Sequence, residues 1–142
     1  MDKRIITVAL AIILLPIVIA LWPRPISYTR FRDNLEGYGL VIKNAKSIGK
    51  PAHGALEEVR FTANGAAVQM FRFDDAAKME TCYQLYRDPT RARENLRRLL
   101  TEGFPIDLRA PTVAARNQWY VITVTTDNDS LRDTILGIFR RL

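Results

Sequence analysis

Few residues in this sequence have the types and spacing that catalysis or metal binding requires. His53 is the only histidine, which excludes a metal site with two histidine ligands. We expect it to be an exposed histidine in the loop segment KPAHGA. Cys82 is the only cysteine, and its helical spacing from Met79 and Tyr86 predicts a buried structural thiol, not a nucleophile. The sequence therefore predicts no catalytic residue, no metal ligand and no cofactor.

Two further groups of polar residues have structural explanations. Asp74 and Asp75 lack the twelve-residue spacing of a calcium loop, and they are placed to cap a helix after a strand. Serines occur in no nucleophile motif, and we interpret them as helix caps or loop residues. Neither group predicts chemistry.

A basic cluster is the one feature that we single out as a binding site for an anionic surface. It consists of five arginines: Arg87, Arg91, Arg93, Arg97 and Arg98. On a helix, Arg91 and Arg98 lie on one stripe and Arg93 and Arg97 on another, so cations cover much of the exposed side. The pattern favours an ordinary solvated helix face. The alternative is contact with an acidic protein partner or with anionic lipid headgroups.

The overall charge is compatible with such partners. The net charge is +6, and arginines outnumber lysines 16 to 5. No zinc-finger spacing, aromatic RNA-binding signature or uninterrupted basic run occurs, so we do not expect binding to nucleic acid. The single cysteine permits no disulfide within the chain and is compatible with either side of a membrane.

A hairpin is the clearest local signal among the elements that would position these residues. Asn64 and Gly65 lie between two segments of alternating apolar residues, which predicts a two-residue type I′ turn. The predicted register pairs Phe61 with Val68 and Glu57 with Arg72. Apolar residues on both sides of the second strand, including Phe71 and Phe73, predict a central position in the sheet.

The remaining elements follow from capping residues and periodicity. We expect a helix from Ser27 to Gly37, a first strand around Leu40 and Ile42, and a loop over 47–54. A helix with Asp74 as its N-cap and Asp75 in its first turn ends near Pro89. There Asp88 caps a second helix that runs to about Glu102. Strands follow on either side of a turn at 116–118, the second at 120–125, and a final helix begins at Asp127 or Asp129.

These elements predict an α+β domain with a mostly antiparallel sheet and helices packed on one face. Shifting the sequence by 53 residues superposes Asn64 on Asn117 and Asp74 on Asp127, which suggests two hairpin-plus-helix halves. The predicted organisation is a charged tail over 1–4, an anchor over 5–22, a proline-containing linker over 23–27 and the domain over 28–142.

The predicted anchor is an uncharged run of 18 residues, from Ile5 to Trp22, with Thr7 as its one polar side chain. As a helix it is about 27 Å long, which approaches the ~30 Å apolar core of a bilayer. Val18 and Ala20 would suit a signal-peptide cleavage site, so a cleaved signal is the alternative. The length of the run and the terminal tryptophan favour an uncleaved signal-anchor.

Charges around this run do not decide its orientation. Lys3 and Arg4 precede it, and Arg24, Arg30 and Arg32 follow it. A short charged N-terminus usually stays in the cytoplasm, so we expect the domain on the extracytoplasmic side. The opposite orientation would tether the domain to the inner face.

Together these features predict a basic, single-pass membrane protein of the cell envelope that acts as a binding or accessory module. The alternatives are a cleaved secreted binding protein of the same fold and an enzyme whose site the sequence does not reveal.

Overall fold

A computed structural model describes residues 25–142 and, before them, only positions 8, 9, 12 and 16. The predicted anchor over 5–22 therefore lies almost entirely outside the described residues. Within the described part of the chain, no helix is both long and apolar enough to cross a membrane.

The chain forms four helices and five strands between residues 28 and 140. In chain order they are α1 (Tyr28–Gly37), β1 (Ile42–Ser47), β2 (Glu57–Ala63), β3 (Ala66–Arg72), α2 (Ala76–Arg87), α3 (Pro89–Thr101), β4 (Thr112–Asn117), β5 (Tyr120–Thr125) and α4 (Asp129–Arg140). The strands form one sheet in the order β1-β2-β3-β5-β4, and every neighbouring pair is antiparallel. The predicted α+β class is confirmed.

The hairpin of β2 and β3 has the predicted turn and register. Asn64 and Gly65 have φ values of 47° and 84°, as a type I′ turn requires. Phe61 pairs with Val68 and Glu57 with Arg72. Strand β3 is central, because β2 and β5 flank it.

Helices cover both faces of this sheet, so the prediction of helices on one face is wrong. Helices α1 and α4 pack on the face that contains Phe61 and Ile122. Helices α2 and α3 pack on the face that contains Phe71 and Val121. The physical reason is that the central strands place apolar side chains on both sides of the sheet, such as Met70 and Phe71 of β3, so each side has surface to bury.

The two hairpin-plus-helix units have the same element order but different packing. Helix α2 follows the first hairpin onto one face, and α4 follows the second onto the other. The second turn is Gln118-Trp119, because Arg116 and Asn117 belong to β4 and not to the turn. The echo between the halves therefore reflects similar turn and cap chemistry and not a repeated tertiary unit.

Helix caps agree with the sequence except in two details. Ser27 caps α1, and its hydroxyl accepts the Arg30 N–H at 3.1 Å. Asp75, not Asp74, caps α2, where one carboxylate oxygen accepts two backbone N–H groups. Asn128 caps α4 in place of the predicted aspartates.

The packed part of the chain extends into the predicted linker. Ile26 is 4% exposed and belongs to the same apolar cluster as Phe31 and Leu35 of α1. Pro25 and Ile26 also lie beside the Gln118-Trp119 turn, where they line a shared groove. The chain thus enters the domain at the end of the sheet that carries this turn.

Candidate binding surface on helix α3

The sequence of α3 determines which of its side chains face solvent. Asp88 caps the helix by accepting two backbone N–H groups, and Pro89 occupies the first turn, where its missing N–H costs no hydrogen bond. Ala92, Leu96 and Leu99 are buried against the sheet. Their spacing of three and four residues leaves the arginines between them on the exposed sides of the helix.

All five arginines of the predicted cluster are exposed, but they do not form one group. The Arg87 guanidinium lies over the Tyr83 ring, 5.5 Å from its centroid. Arg98 pairs with Glu102, with 3.7 Å between Nε and Oε1. Within residues 25–142, the side chains of Arg91, Arg93 and Arg97 make no ion pair.

Arg93 lies between two adjoining concave surfaces. One, of about 330 Å³, has Arg97 and Glu94 in its walls. The other is a groove of about 280 Å³ between α3 and residues 108–112, with Arg109 on its opposite rim. We call Arg93, Arg97 and Arg109 the Arg93 cluster. Arg91 and Arg98 line neither surface, which agrees with the two stripes expected from the sequence.

The groove beside Arg93 combines an apolar floor with charged rims. Its floor contains Ala92, Leu96, Leu108 and Pro111. Arg109 is 93% exposed and pairs with Asp107 at 3.4 Å. Exposed pairs of this kind contribute only ~0–1 kcal/mol, so a carboxylate from a ligand can replace Asp107 at little cost. The arrangement suits an acidic segment that carries an apolar side chain.

Sequence reasoning missed Arg109 because it lies 16 residues after Arg93, in an irregular segment. Residues 104–110 contain no helix or strand that periodicity could detect. The one available signal was Pro111, which ends the segment and is followed by β4. That signal places a chain reversal near the helix but does not identify its neighbours.

A buried ion pair lies beneath the C-terminal end of α3. Glu58 and Arg60 are 1% and 2% exposed, and Arg60 Nε donates to Glu58 Oε2 at 2.6 Å. The Ala52 N–H donates to the other carboxylate oxygen at 2.9 Å. Arg60 also donates to Glu102, and this hydrogen bond holds the pKa of the Glu102 carboxyl below its usual value. These partners satisfy the charges, so we assign the group a structural role.

His53 is not the exposed loop residue that the sequence predicted. Its ring is half-buried, edge-on to Phe71 and Tyr86, and Nε2 lies 2.9 Å from the Tyr86 hydroxyl oxygen. Burial, assisted by the positive charge of Arg98, lowers the pKa of His53. The sequence could not show this, because the residues that cover the ring lie 18 and 33 positions away.

Cys82 is buried on the same face of the sheet, as its helical spacing predicted. It is 1% exposed, and burial raises the pKa of its thiol to about 12. Burial also raises the pKa of Tyr86. Neither group ionises near neutral pH.

Neither a metal site nor a similar protein identifies the function of this surface. Among the residues that the structure describes, no three His, Cys, Asp or Glu side chains converge as metal ligands. No protein family model, curated protein or solved structure matches this chain. A functional assignment therefore has to be argued from the residues themselves.

Proposed function

We propose that this protein is a single-pass membrane-anchored binding module of the cell envelope, with its domain on the extracytoplasmic side. We further propose that the Arg93 cluster binds an acidic segment of a protein partner. The observation that carries the second proposal is the groove between α3 and Pro111, where two arginines flank an apolar floor.

The proposal of an anchor rests on the sequence. An uncharged run of 18 residues ends at Trp22, and the buried Ile26 follows four residues later. So short a connection suits a domain that stays close to a bilayer, since three extended residues span at most about 10 Å. A secreted protein needs no such proximity after its signal is cleaved.

A protein partner is favoured over lipids of the same membrane because of where the cluster lies. Arg93 shares its groove with Pro111 and Thr112, at the start of β4. The chain enters the domain beside Gln118, beyond the other end of that strand. Six strand residues span about 20 Å, which is roughly twice the Debye length at physiological ionic strength. Headgroups at the point of entry would attract Arg93 only weakly.

The enzyme alternative has less support. Burial is the main cause of the pKa shifts of His53, Tyr86 and Cys82, and each shift favours the neutral form. Tyr86 and Cys82 are each 1% exposed, so a substrate at the surface would not contact either reactive group.

The binding proposal is tested with the full chain in nanodiscs of zwitterionic lipid and a polyglutamate peptide as the probe. We expect binding that weakens as salt is added, because ionic screening shortens the range of the attraction. The variant Arg93→Gln, Arg97→Gln, Arg109→Gln should lose this binding.

A matched control removes three positive charges elsewhere. Arg32, Arg132 and Arg140 lie on α1 and α4, on the opposite face of the sheet. Their triple replacement by glutamine should leave peptide binding unchanged. Equal losses in the two triple variants would mean that only the net charge matters, and would contradict a site at the Arg93 cluster.

A further inference from the structure

Two exposed apolar side chains lie at the same end of the sheet. Leu56 is 45% exposed and Trp119 is 49% exposed. Their backbones extend the sheet beyond the strand ends: the Leu56 N–H donates to the Arg72 carbonyl at 2.8 Å, and the Phe73 N–H donates to the Trp119 carbonyl at 2.8 Å. Leu56 and Trp119 are therefore held in one row, about two strand spacings or ~10 Å apart.

The same end of the sheet receives the chain from the apolar run. Pro25 and Ile26 line an open groove of about 440 Å³ together with Phe73, Trp119 and Tyr120. Only two residues separate Trp22 from Pro25. An anchor that extends to Trp22 would keep this end of the sheet within about 10 Å of the bilayer, because the connecting residues reach no further.

Exposure alone does not single out this end. Tyr38 and Val41 are also exposed, and Val41 hydrogen-bonds to Asn64 at the opposite end of the sheet. What distinguishes the Trp119 end is the point at which the chain enters. At this end Arg72 pairs with Glu57 at 3.0 Å.

We propose that the end of the sheet that carries Leu56 and Trp119 rests on the headgroup region of the bilayer that holds the anchor. The indole of Trp119 lies at the interface, where tryptophan is favoured because its ring is apolar and its N–H is polar. This orientation turns the Arg93 cluster away from the bilayer, towards a partner in the aqueous phase. The inference rests on the anchor in the proposed function.

The test uses the full chain in phosphatidylcholine vesicles, with and without lipid brominated on its acyl chains. The variant Trp22→Phe leaves Trp119 as the sole tryptophan, in its native position. The control variant carries Trp22→Phe, Trp119→Tyr and Val41→Trp, which places the sole tryptophan beside Asn64, at the opposite end of the sheet. Flotation of the vesicles reports insertion, and loss of tryptophan emission reports contact with lipid.

We expect both variants to float with the vesicles. Brominated lipid should quench Trp119 strongly and the tryptophan at position 41 little. Flotation with equal quenching, or with none, would overturn the docking of this end and leave the anchor intact. Failure of both variants to float would overturn the anchor and the docking together.

Discussion

Replacing Arg60 should be the most damaging single change in the buried ion pair. The variant Arg60→Met removes the cation that faces Glu58. Glu58 is 1% exposed, and its carboxylate would keep the hydrogen bond from the Ala52 N–H but lose its ion pair. Leaving one charge of a buried pair uncompensated typically costs about 3–5 kcal/mol. That is a large fraction of the ~5–15 kcal/mol by which domains are usually stable.

The comparison variant is Glu102→Gln, which touches the same arginine from its exposed side. The Glu102 side chain is 42% exposed, and Arg60 keeps Glu58 as its partner in this variant. Exposed ion pairs contribute ~1 kcal/mol or less. We therefore expect Glu102→Gln to cost several-fold less than Arg60→Met.

Urea unfolding of the full chain in a nonionic detergent, followed by circular dichroism, measures both changes. With a slope of roughly 1–3 kcal/mol per molar urea, Arg60→Met should lower the midpoint by on the order of 2 M. The double variant Glu58→Gln, Arg60→Met should recover part of the loss, because no charge then remains buried. A double variant as unstable as the single one would show that lost packing, not an unpaired charge, causes the effect, and would refute this reasoning.

Three further predictions concern the turn, a helix cap and His53. Gly65→Val should lower the free energy of unfolding by about 1–2 kcal/mol. Gly65 has a φ of +84° and open space around it, so backbone strain is the only cost of the added side chain. Gly37→Ala is the control, and unchanged thermal stability of Gly65→Val would contradict the turn. Asp75→Ala should cost about 1 kcal/mol in thermal unfolding and Asp74→Ala nearly nothing, since only Asp75 accepts backbone N–H groups of α2. The pKa of His53 is lowered in the folded protein. As the pH falls below ~6.5, the imidazole is therefore protonated in the unfolded chain before it is protonated in the folded chain. The free energy of unfolding should decrease over this range, until the pH passes the lowered pKa. His53→Asn, which tolerates the φ of 60°, should abolish this decrease below about pH 6.5, and a decrease that persists in urea titrations would assign it to another group.

Sequence reasoning succeeded where local chemistry determines the structure. The Asn64-Gly65 turn fixes the register of β2 and β3, because a two-residue type I′ loop permits one pairing. Asp88 and Pro89 likewise fix where α3 begins. These features depend on residues that are near one another in the sequence.

It failed where the structure depends on distant contacts. Helices α2 and α4 pack on opposite faces of the sheet, although each follows a hairpin and an N-terminal cap. The residues near each helix in the sequence therefore do not determine which face it covers. The environment of His53 depends on Phe71 and Tyr86, and the groove beside Arg93 depends on a chain reversal at Pro111. In the candidate site, the sequence supplied Arg93 and Arg97, but only the fold brings Arg109 to them.

The location of the domain is the central claim, and one measurement tests it directly. Mass spectrometry of the full-length protein recovered from isolated membranes, combined with protease treatment of intact cells or spheroplasts, reports both the N-terminus and the side on which the domain lies. We predict an intact residue 5–22 segment and a domain that protease reaches from outside. A mature chain that begins after Ala20 and is released from the membrane, or a domain protected from protease, would contradict the account.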